Sequence, residues 1–199
     1  MLGGHAVAVC ILLDCEESSL GKYRHVALGF AARPKPWLPL PIGALWIEQR
    51  ASDYGYWIQF SAVNSETVAQ AHMEHWGIPS FLADIDVSVK RSKVKATVSE
   101  KGEEVVRLAV NRPGPGMPGR FPLRYYARSG GEILRTEMSI DAVGREKSFL
   151  TSSHLDLCRH VRTEDLRSAS IDTRNPKTVH WYDSFRTWME EPSARFKVK

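Results

Sequence analysis

The sequence is poor in cysteine and has no long apolar run, and both shortages narrow what the protein can be. Its 199 residues include three cysteines, Cys10, Cys15 and Cys158, whose spacing matches no metal-binding motif. An odd cysteine count with one thiol inside an apolar segment favours a reducing compartment, so we expect a cytoplasmic protein. The apolar stretch at the N-terminus lacks a charged leader and, at roughly nine residues, falls short of the about 20 needed to span a bilayer. We therefore expect no membrane association.

The sequence also lacks a strong excess of charge of one sign. Lys and Arg number 27 against 23 Asp and Glu, giving a net charge of +4 with no basic run. Nucleic-acid binding requires clustered cations along the phosphate backbone, so no nucleic acid is expected as a partner. Repeats, low-complexity segments and shifts in composition are missing too. The length and the 43% hydrophobic content predict a single domain over residues 1–199.

Apolar segments of strand length, separated by turn residues, predict a mainly β protein. We expect strands at roughly residues 5–13, 22–32, 43–50, 55–63, 83–90, 93–99, 103–110, 121–128 and 132–138. Strict alternation of apolar and polar residues in the segments 83–90 and 93–99 is typical of a half-buried antiparallel hairpin. One long helix is predicted over residues 64–76, with Asn64 or Ser65 as N-cap and Gly77 at its end.

Two further segments have no strong period. The Pro/Gly segment 112–120, RPGPGMPGR, is predicted to be a long loop, which either covers a site or merely crosses the surface. Residues 151–199 mix aromatic and charged residues, which favours a C-terminal extension packed on the rest of the domain or on a neighbouring subunit.

The first two predicted strands each have one face of small side chains, and these faces are a candidate cavity wall. They carry Ala6, Ala8, Cys10 and Leu12 in the first strand, and His25, Ala27, Gly29 and Ala31 in the second. Small side chains either let backbones pack closely or leave room for a small ligand inside a barrel, and both interpretations stay open.

Three segments together resemble the acetoacetate decarboxylase family. GHAVAVCILLDCEESSLGKYRHVALGF is similar to the family's strand, acidic turn and "GPYNEV" segment, and NSETVAQAHMEHWGIPSF to its helix and the turn after it. ADIDVSVKRSKVKATVSEKGEEVVRLAV is similar to its hairpin, so the resemblance covers roughly residues 3–140. It implies an α+β, mainly β fold: a closed β-barrel with a buried apolar cavity, one main helix and peripheral helical turns. In that family a lysine activated by a neighbouring lysine forms a Schiff base with a β-keto acid.

The reactive positions of the family are changed here. The two lysines fall on Ser80 and Phe81, neither of which can form an imine, and the family's carboxylate falls on His25. The aromatic residue before the proline falls on Ile78, whereas Glu74 and three neighbours, Trp76, Gly77 and Pro79, match the helix motif. The resemblance also implies that the family's N-terminal segment, with its substrate-binding arginine, is missing. We therefore expect chemistry without a Schiff base and without a cofactor.

His25 is the first candidate for catalysis, because an imidazole titrates near neutral pH and can give or take a proton. The alternative is a buried histidine bonded to the backbone. Ser80 is predicted to face His25 as a nucleophile or hydrogen-bonding partner, or else to be a small polar filler. Tyr23 shares a face with His25 and is predicted to donate to a substrate oxygen. The predicted substrate-binding residues are Cys10, Ala27, Gly29, Glu74, Trp76, Ile78 and Phe81.

A metal site is not predicted. His72 and His75 are spaced for one face of a helix, with Glu74 nearby, but the pattern lacks a third ligand at a recognisable spacing. Histidines in such a pattern are usually core or interface residues.

The sequence thus favours a small-molecule enzyme of the lyase or isomerase/cyclase type. We expect it to act on an apolar oxo compound of secondary metabolism by cyclisation, dehydration, isomerisation or decarboxylation, with His25 as acid/base. The alternative is a non-catalytic ligand-binding pseudoenzyme on the same scaffold. The family resemblance and the aromatic C-terminal region both favour a homo-oligomer.

Overall fold

The computed structural model describes residues 7–32, 54–148, 152–169, 171, 173–174, 176 and 178–197. The strands in these ranges are β1 (Ala8–Cys15), β2 (Tyr23–Ala32), β3 (Gly55–Val63), β4 (Ser80–Leu82), β5 (Asp84–Lys90), β6 (Lys93–Glu100), β7 (Glu103–Asn111), β8 (Met117–Ser129), β9 (Glu132–Ser148), β10 (His154–Leu157), β11 (Thr178–Met189) and β12 (Ala194–Lys197). The helices are α1 (Glu66–Trp76) and α2 (Glu164–Ser168), the second preceded by a 3-10 turn at Val161–Thr163. The mainly β class is confirmed, while the strand expected at 43–50 lies outside the described residues.

The strands form two sheets. The larger is a strongly curled half-barrel in the order β1-β2-β3-β8-β9-β11, with β4 also paired to β3 and β12 also paired to β9. The smaller has the order β10-β7-β6-β5. The resemblance implies one closed barrel that also contains the strands of 83–110. They instead form their own sheet with β10, and apolar side chains join it to the half-barrel.

The main core lies between the two sheets. Its buried members from β2 and β3 are Val26, Leu28, Phe60 and Ala62, and those from the smaller sheet are Ile85, Val98, Val105, Val106 and Leu155. Leu166 of α2 and Ala83, between β4 and β5, complete this cluster. Because successive side chains of a strand point to opposite faces, β2 gives Val26 and Leu28 to this core and turns His25 and Ala27 to the other face of the half-barrel.

Helix α1 has the ends that the sequence predicts. Ser65 is its N-cap, with the side chain accepting from the Val68 N–H, and Gly77 ends it in a left-handed conformation with φ of 65°. A Cβ at position 77 would lie 3.0 Å from the Ser129 side chain, so the turn requires glycine for space as well as conformation. The buried face of α1 includes His72, which is thereby held against the sheet.

The predicted loop at 112–120 is shorter than expected, because β8 already begins at Met117. Two prolines, Pro118 and Pro122, lie inside this strand, yet β8 pairs with β9 over its whole length. Its pairing with β3 is confined to Tyr125 and Tyr126. The first half of β8 therefore has an edge without a strand partner among the described residues, and proline is tolerated on such an edge because its missing N–H breaks no ladder bond.

The C-terminal region contributes to both sheets. β10 pairs with β7, and β11 and β12 pair with β9. That residues 151–199 are a C-terminal extension of a single domain stays a prediction. Neither α-helix in the described ranges is long and apolar enough to cross a membrane.

The position of Leu166 leads to a test of this packing. Leu166 is 1% exposed in the core between the sheets, whereas Leu82 at the end of β4 is 54% exposed. We expect Leu166→Ala to lower the free energy of unfolding by about 2–5 kcal/mol because it leaves a cavity. The same change at Leu82 should stay within about 0.5 kcal/mol. Urea unfolding at equilibrium measures both, and equal losses in the two variants would contradict the packing described here.

Candidate functional site

Four buried polar side chains form one continuous hydrogen-bonded chain. His25 Nε2 lies 2.9 Å from Ser61 Oγ, and Ser61 Oγ lies 2.6 Å from Ser80 Oγ. Ser80 Oγ in turn lies 2.7 Å from His72 Nδ1. The two imidazole rings also meet edge to face, with centroids 4.9 Å apart. We call this set of residues, His25, Ser61, Ser80 and His72, the His–Ser chain.

The strand pairing brings the chain together. Ser61 is the partner of Ala27 in the antiparallel pair of β2 and β3, two residues along from His25 and on the same face. On its other side Ser61 is the partner of Ser80 in the parallel pair of β3 and β4. Helix α1 lies between β3 and β4 in the sequence and places His72 over Ser80.

A small cavity opens beside the His–Ser chain. Its apolar walls are Leu13, Ile58, Ile78, Met138 and Met189. Its polar lining residues are His25, His72, Tyr23 and Tyr125. The cavity measures about 20 Å³, enough for a water molecule. None of the described lining residues is a lysine, arginine, aspartate or glutamate, so the site carries no permanent charge of its own.

Burial keeps both imidazoles neutral. It lowers the pKa of His25 to about 3, with a smaller contribution from the neighbouring His72. Burial alone lowers the pKa of His72 to about 4. At neutral pH each ring therefore has one protonated and one bare nitrogen, and each can both donate and accept a hydrogen bond.

The two tyrosines of the cavity are proton donors at neutral pH. Burial raises the pKa of Tyr23, and the adjacent Cys15 adds to the effect. Burial also raises the pKa of Tyr125, whose hydroxyl donates to Met138 Sδ at 3.7 Å. A thioether is a weak acceptor, so an oxygen of a ligand would compete well for the Tyr125 proton.

The structure brings together part of the predicted site. Tyr23, His25 and Ile78 line the cavity as a group. Ser80 belongs to the same constellation, but its direct partners are Ser61 and His72, and Ser61 stands between it and His25. The roles assigned to these residues stay predictions.

Cys10 and Phe81 lie on the opposite face of the half-barrel. The register of β1 and β2 pairs Cys10 with Leu28 and Leu13 with His25, so Leu13 shares the cavity face and Cys10 packs against the main core. Burial raises the pKa of the Cys10 thiol to about 12. Phe81 meets Phe60 in the same core, with ring centroids 5.2 Å apart. The small side chains of β1 therefore do not share a face with His25, because the register of β1 and β2 places them on the side of Leu28.

Ala27 and Gly29 share the face of His25 but not the cavity. Ala27 is buried beside its partner Ser61. A Cβ on Gly29 would lie 2.7 Å from the Trp57 carbonyl oxygen, so close backbone packing explains this glycine. Of the two interpretations of the small residues, close packing of backbones accounts for Gly29 better than room for a ligand.

Residues at the end of α1 support the site from behind or face away from it. The Trp76 ring contacts the His72 ring at a centroid distance of 5.8 Å, and its Nε1 donates to the Glu190 carbonyl. Glu74 is exposed and accepts from Gln70. His75 is exposed as well, and the described ranges contain no group of three side chains able to hold a metal ion.

The sequence analysis does not single out Ser61, and it does not predict the contact of His72 with Ser80. Ser61 sits in an apolar strand segment, FSAV, where a buried hydroxyl needs a partner, and that need was the available signal. The helix pattern favours His72 as a core or interface residue over a metal ligand, and the structure shows His72 buried in the core. The cavity walls from β8, β9 and β11, namely Tyr125, Met138 and Met189, depend on long-range pairing that has no local signature.

Comparison with known proteins gives a fold but no close relative. No protein-family model matches the sequence, and no curated protein matches it. The crystal structure of acetoacetate decarboxylase from Legionella pneumophila is similar with a TM-score of 0.56 over 98% of this chain and 72% of that chain, at 11% identity. The enduracididine biosynthesis enzyme MppR, complexed with pyruvate, is similar with a TM-score of 0.52 over 89% of this chain and 66% of that chain, at 10% identity.

A further structure of acetoacetate decarboxylase has a TM-score of 0.51 over 88% of this chain and 73% of that chain, at 10% identity. The resemblance inferred from the sequence is thus confirmed at the level of the fold, which is acetoacetate decarboxylase-like. At such identities only the fold is shared, so function has to be argued from the residues themselves. The oligomeric state stays a prediction.

The neutral imidazoles predict how stability depends on pH. Below the ordinary histidine pKa of about 6.5 the unfolded chain binds protons that the folded chain excludes until about pH 4 at His72 and about pH 3 at His25. The free energy of unfolding should therefore fall as pH decreases from about 6.5 to about 4, by at most about 1.4 kcal/mol per pH unit for each ring. His72→Gln should weaken this dependence in urea unfolding measured at several pH values.

The same substitution at the exposed His75, in the same helix, is the matched control and should keep the wild-type dependence on pH. A His72→Gln variant that loses stability with pH as steeply as the wild type would show that His72 is protonated in the folded protein.

Proposed function

We propose that this chain is a small-molecule enzyme that acts on an apolar oxo compound by proton transfer at His25, without a Schiff base. The observation that carries this proposal is a neutral imidazole at the wall of an apolar cavity, joined through buried hydroxyls to a second neutral imidazole. A positioned acid or base in a dry site is sufficient for enolisation and for the isomerisation, cyclisation, dehydration or decarboxylation reactions that build on it.

The distribution of lysines supports a mechanism without an imine. The lysines whose side chains the structure describes, Lys22, Lys90, Lys93, Lys95, Lys101 and Lys197, are all exposed or half-buried, and none lines the cavity. Formation of an imine requires an unprotonated amine next to the substrate. Position 80 offers a hydroxyl instead, and the hydrogen bonds of that hydroxyl go to Ser61 and His72.

The cavity chemistry favours a neutral carbonyl compound over a carboxylate. No cation among the described lining residues is available to pair with an acid group, whereas Tyr23 and Tyr125 can donate to a carbonyl oxygen. MppR of similar fold is known in a complex with pyruvate, an oxo acid. We propose that the substrate of this chain shares the oxo group of pyruvate and lacks its carboxylate.

The size of the cavity sets a condition on binding. About 20 Å³ holds a water molecule, so a ligand of several carbons needs extra room. Met138 and Met189 line the cavity, and unbranched methionine side chains change rotamer easily. We propose that the substrate enters by displacing one or both of these side chains.

The small cavity also favours a second candidate function, a non-catalytic ligand-binding protein. In that case the His–Ser chain would hold β2, β3, β4 and α1 together and would turn over no substrate. Chemical shifts of the His25 and His72 side chains would respond to a small ketone under both functions, and only catalysed exchange of its protons distinguishes them.

The first test of the mechanism is chemical trapping. Incubation with acetoacetate and borohydride should leave no covalent adduct on the protein, because the described cavity residues include no amine. Mass spectrometry of the intact protein and of its peptides makes the measurement. An adduct mapped to a single lysine would overturn the lysine-independent mechanism.

The second test measures catalysis of proton transfer. We expect the wild-type protein in D₂O to speed the exchange of the α-protons of cyclohexanone or 2-pentanone for deuterium. Proton NMR measures this rate as the loss of the α-proton signals. His25→Asn should lower the catalysed rate by about 100-fold or more, since general acid–base catalysis contributes about 10²–10⁴-fold. His75→Asn makes the same change at an exposed position and should keep the wild-type rate. Binding of both ketones without exchange would favour the non-catalytic function.

A further inference from the structure

We propose that the His–Ser chain is a proton relay, which makes His25 and His72 one coupled acid–base pair that turns over a neutral, enolisable carbonyl compound. This inference rests on the proposed function for its substrate, and on the hydrogen bonds alone for its coupling. It gives roles to Ser61 and His72, and it replaces a single catalytic histidine by a pair that changes state together.

The coupling follows from a count of protons. The three contacts in the chain, at 2.9, 2.6 and 2.7 Å, each need one proton between the two heavy atoms. Each serine hydroxyl supplies one, so the third must come from one of the two histidine nitrogens that face the serines. If both of these nitrogens were bare, one contact would lack a proton. If both were protonated, one of the four protons would have no acceptor in the chain. Exactly one histidine therefore donates into the chain at any time.

The chain consequently has two arrangements of equal charge. In the first, His25 Nε2 donates to Ser61, Ser61 to Ser80, and Ser80 to His72 Nδ1, which leaves a bare Nδ1 on His25 and an N–H at Nε2 of His72. In the second, every bond is reversed, with the N–H at Nδ1 of His25 and the bare nitrogen at Nε2 of His72. The two outer nitrogens, His25 Nδ1 and His72 Nε2, have no hydrogen-bond partner among the described residues.

Both rings line the same cavity, and the relay requires that one substrate contact His25 Nδ1 and His72 Nε2 there. Starting from the first arrangement, His25 Nδ1 takes an α-proton, and the electron pair of the broken C–H bond forms the C=C bond of an enol. The Nε2 proton of His25 passes to Ser61, that of Ser61 to Ser80, and that of Ser80 to His72 Nδ1. The Nε2 proton of His72 goes to the carbonyl oxygen, which receives the π electrons of the C=O bond.

The relay is reset by the reverse transfers. His25 Nδ1–H returns a proton to carbon, at the original position or at a conjugated one, and His72 Nε2 accepts the enol proton. The first choice gives exchange when the proton on His25 Nδ1 has been replaced by one from solvent before it returns to carbon, and the second gives migration of a double bond. No imidazolium and no enolate forms at any stage, which suits an apolar cavity where burial disfavours a charged ring.

The relay predicts an effect on a histidine that the substituted serine does not touch. In ¹⁵N-labelled protein at pH 7, side-chain ¹H–¹⁵N spectra give the tautomer fractions of His25 and His72. We expect the Nε2–H fraction of His25 and the Nδ1–H fraction of His72 to add up to one. Ser61→Ala should change the tautomer fraction of His72, and Ser80→Ala that of His25. Ser153→Ala removes a buried hydroxyl elsewhere and should leave both unchanged.

The ketone exchange assay supplies the second readout. We expect Ser61→Ala to lower the catalysed rate constant about ten-fold or more with little change in KM, because Ser61 is not part of the cavity lining. Should Ser61→Ala fail to fold, Ser80→Ala makes the reciprocal test. A change of tautomer fraction that is confined to the histidine next to the substituted serine would overturn the relay. A wild-type exchange rate in Ser61→Ala or Ser80→Ala, when His25→Asn is inactive, would overturn it as well. Both results would leave the proposed function standing. If the wild type exchanges neither ketone, the proposed function fails and the tautomer fractions decide the relay.

Discussion

The need to satisfy buried polar groups governs the centre of this protein. The four residues of the His–Ser chain are each at most 7% exposed, and each of them has a hydrogen-bond partner within this set. A made hydrogen bond contributes only about 0.5–1.5 kcal/mol, whereas a buried group left without a partner costs about 1–3 kcal/mol. The His–Ser chain therefore fixes the relative placement of β2, β3, β4 and α1, mainly because any other placement would leave a buried polar group without a hydrogen-bond partner.

Strand β2 serves both sides of the half-barrel. Its even-numbered residues Val26 and Leu28 enter the core shared with the smaller sheet, and His25 faces the cavity. The apolar core anchors the strand from one side and leaves the other side available for polar chemistry. The same division holds in β4, where Ser80 joins the His–Ser chain and Phe81 packs against Phe60.

Local patterns in the sequence were sufficient for the class of fold and for most strands. The alternation in 83–90 and 93–99 gave the hairpin of β5 and β6, and Ser65 and Gly77 gave the ends of α1. Register and strand partners could not be predicted, because they depend on residues far apart in the chain. The face of Cys10 was misjudged for that reason, and the parallel pairing of Ser61 with Ser80, which creates the His–Ser chain, left no local trace.

The parallel pairing of β3 and β4 limits which side chains position 80 can accept. Ser61 and Ser80 are in register, with their Oγ atoms 2.6 Å apart, so a side chain as long as lysine at position 80 would have to displace the Ser61 hydroxyl and the His72 imidazole. An amine at position 80 would therefore require changes at positions 61 and 72, and the loss of the Ser61 contact would leave His25 Nε2 without its partner. The four positions therefore depend on one another, and a change at one of them alters the surroundings of the other three.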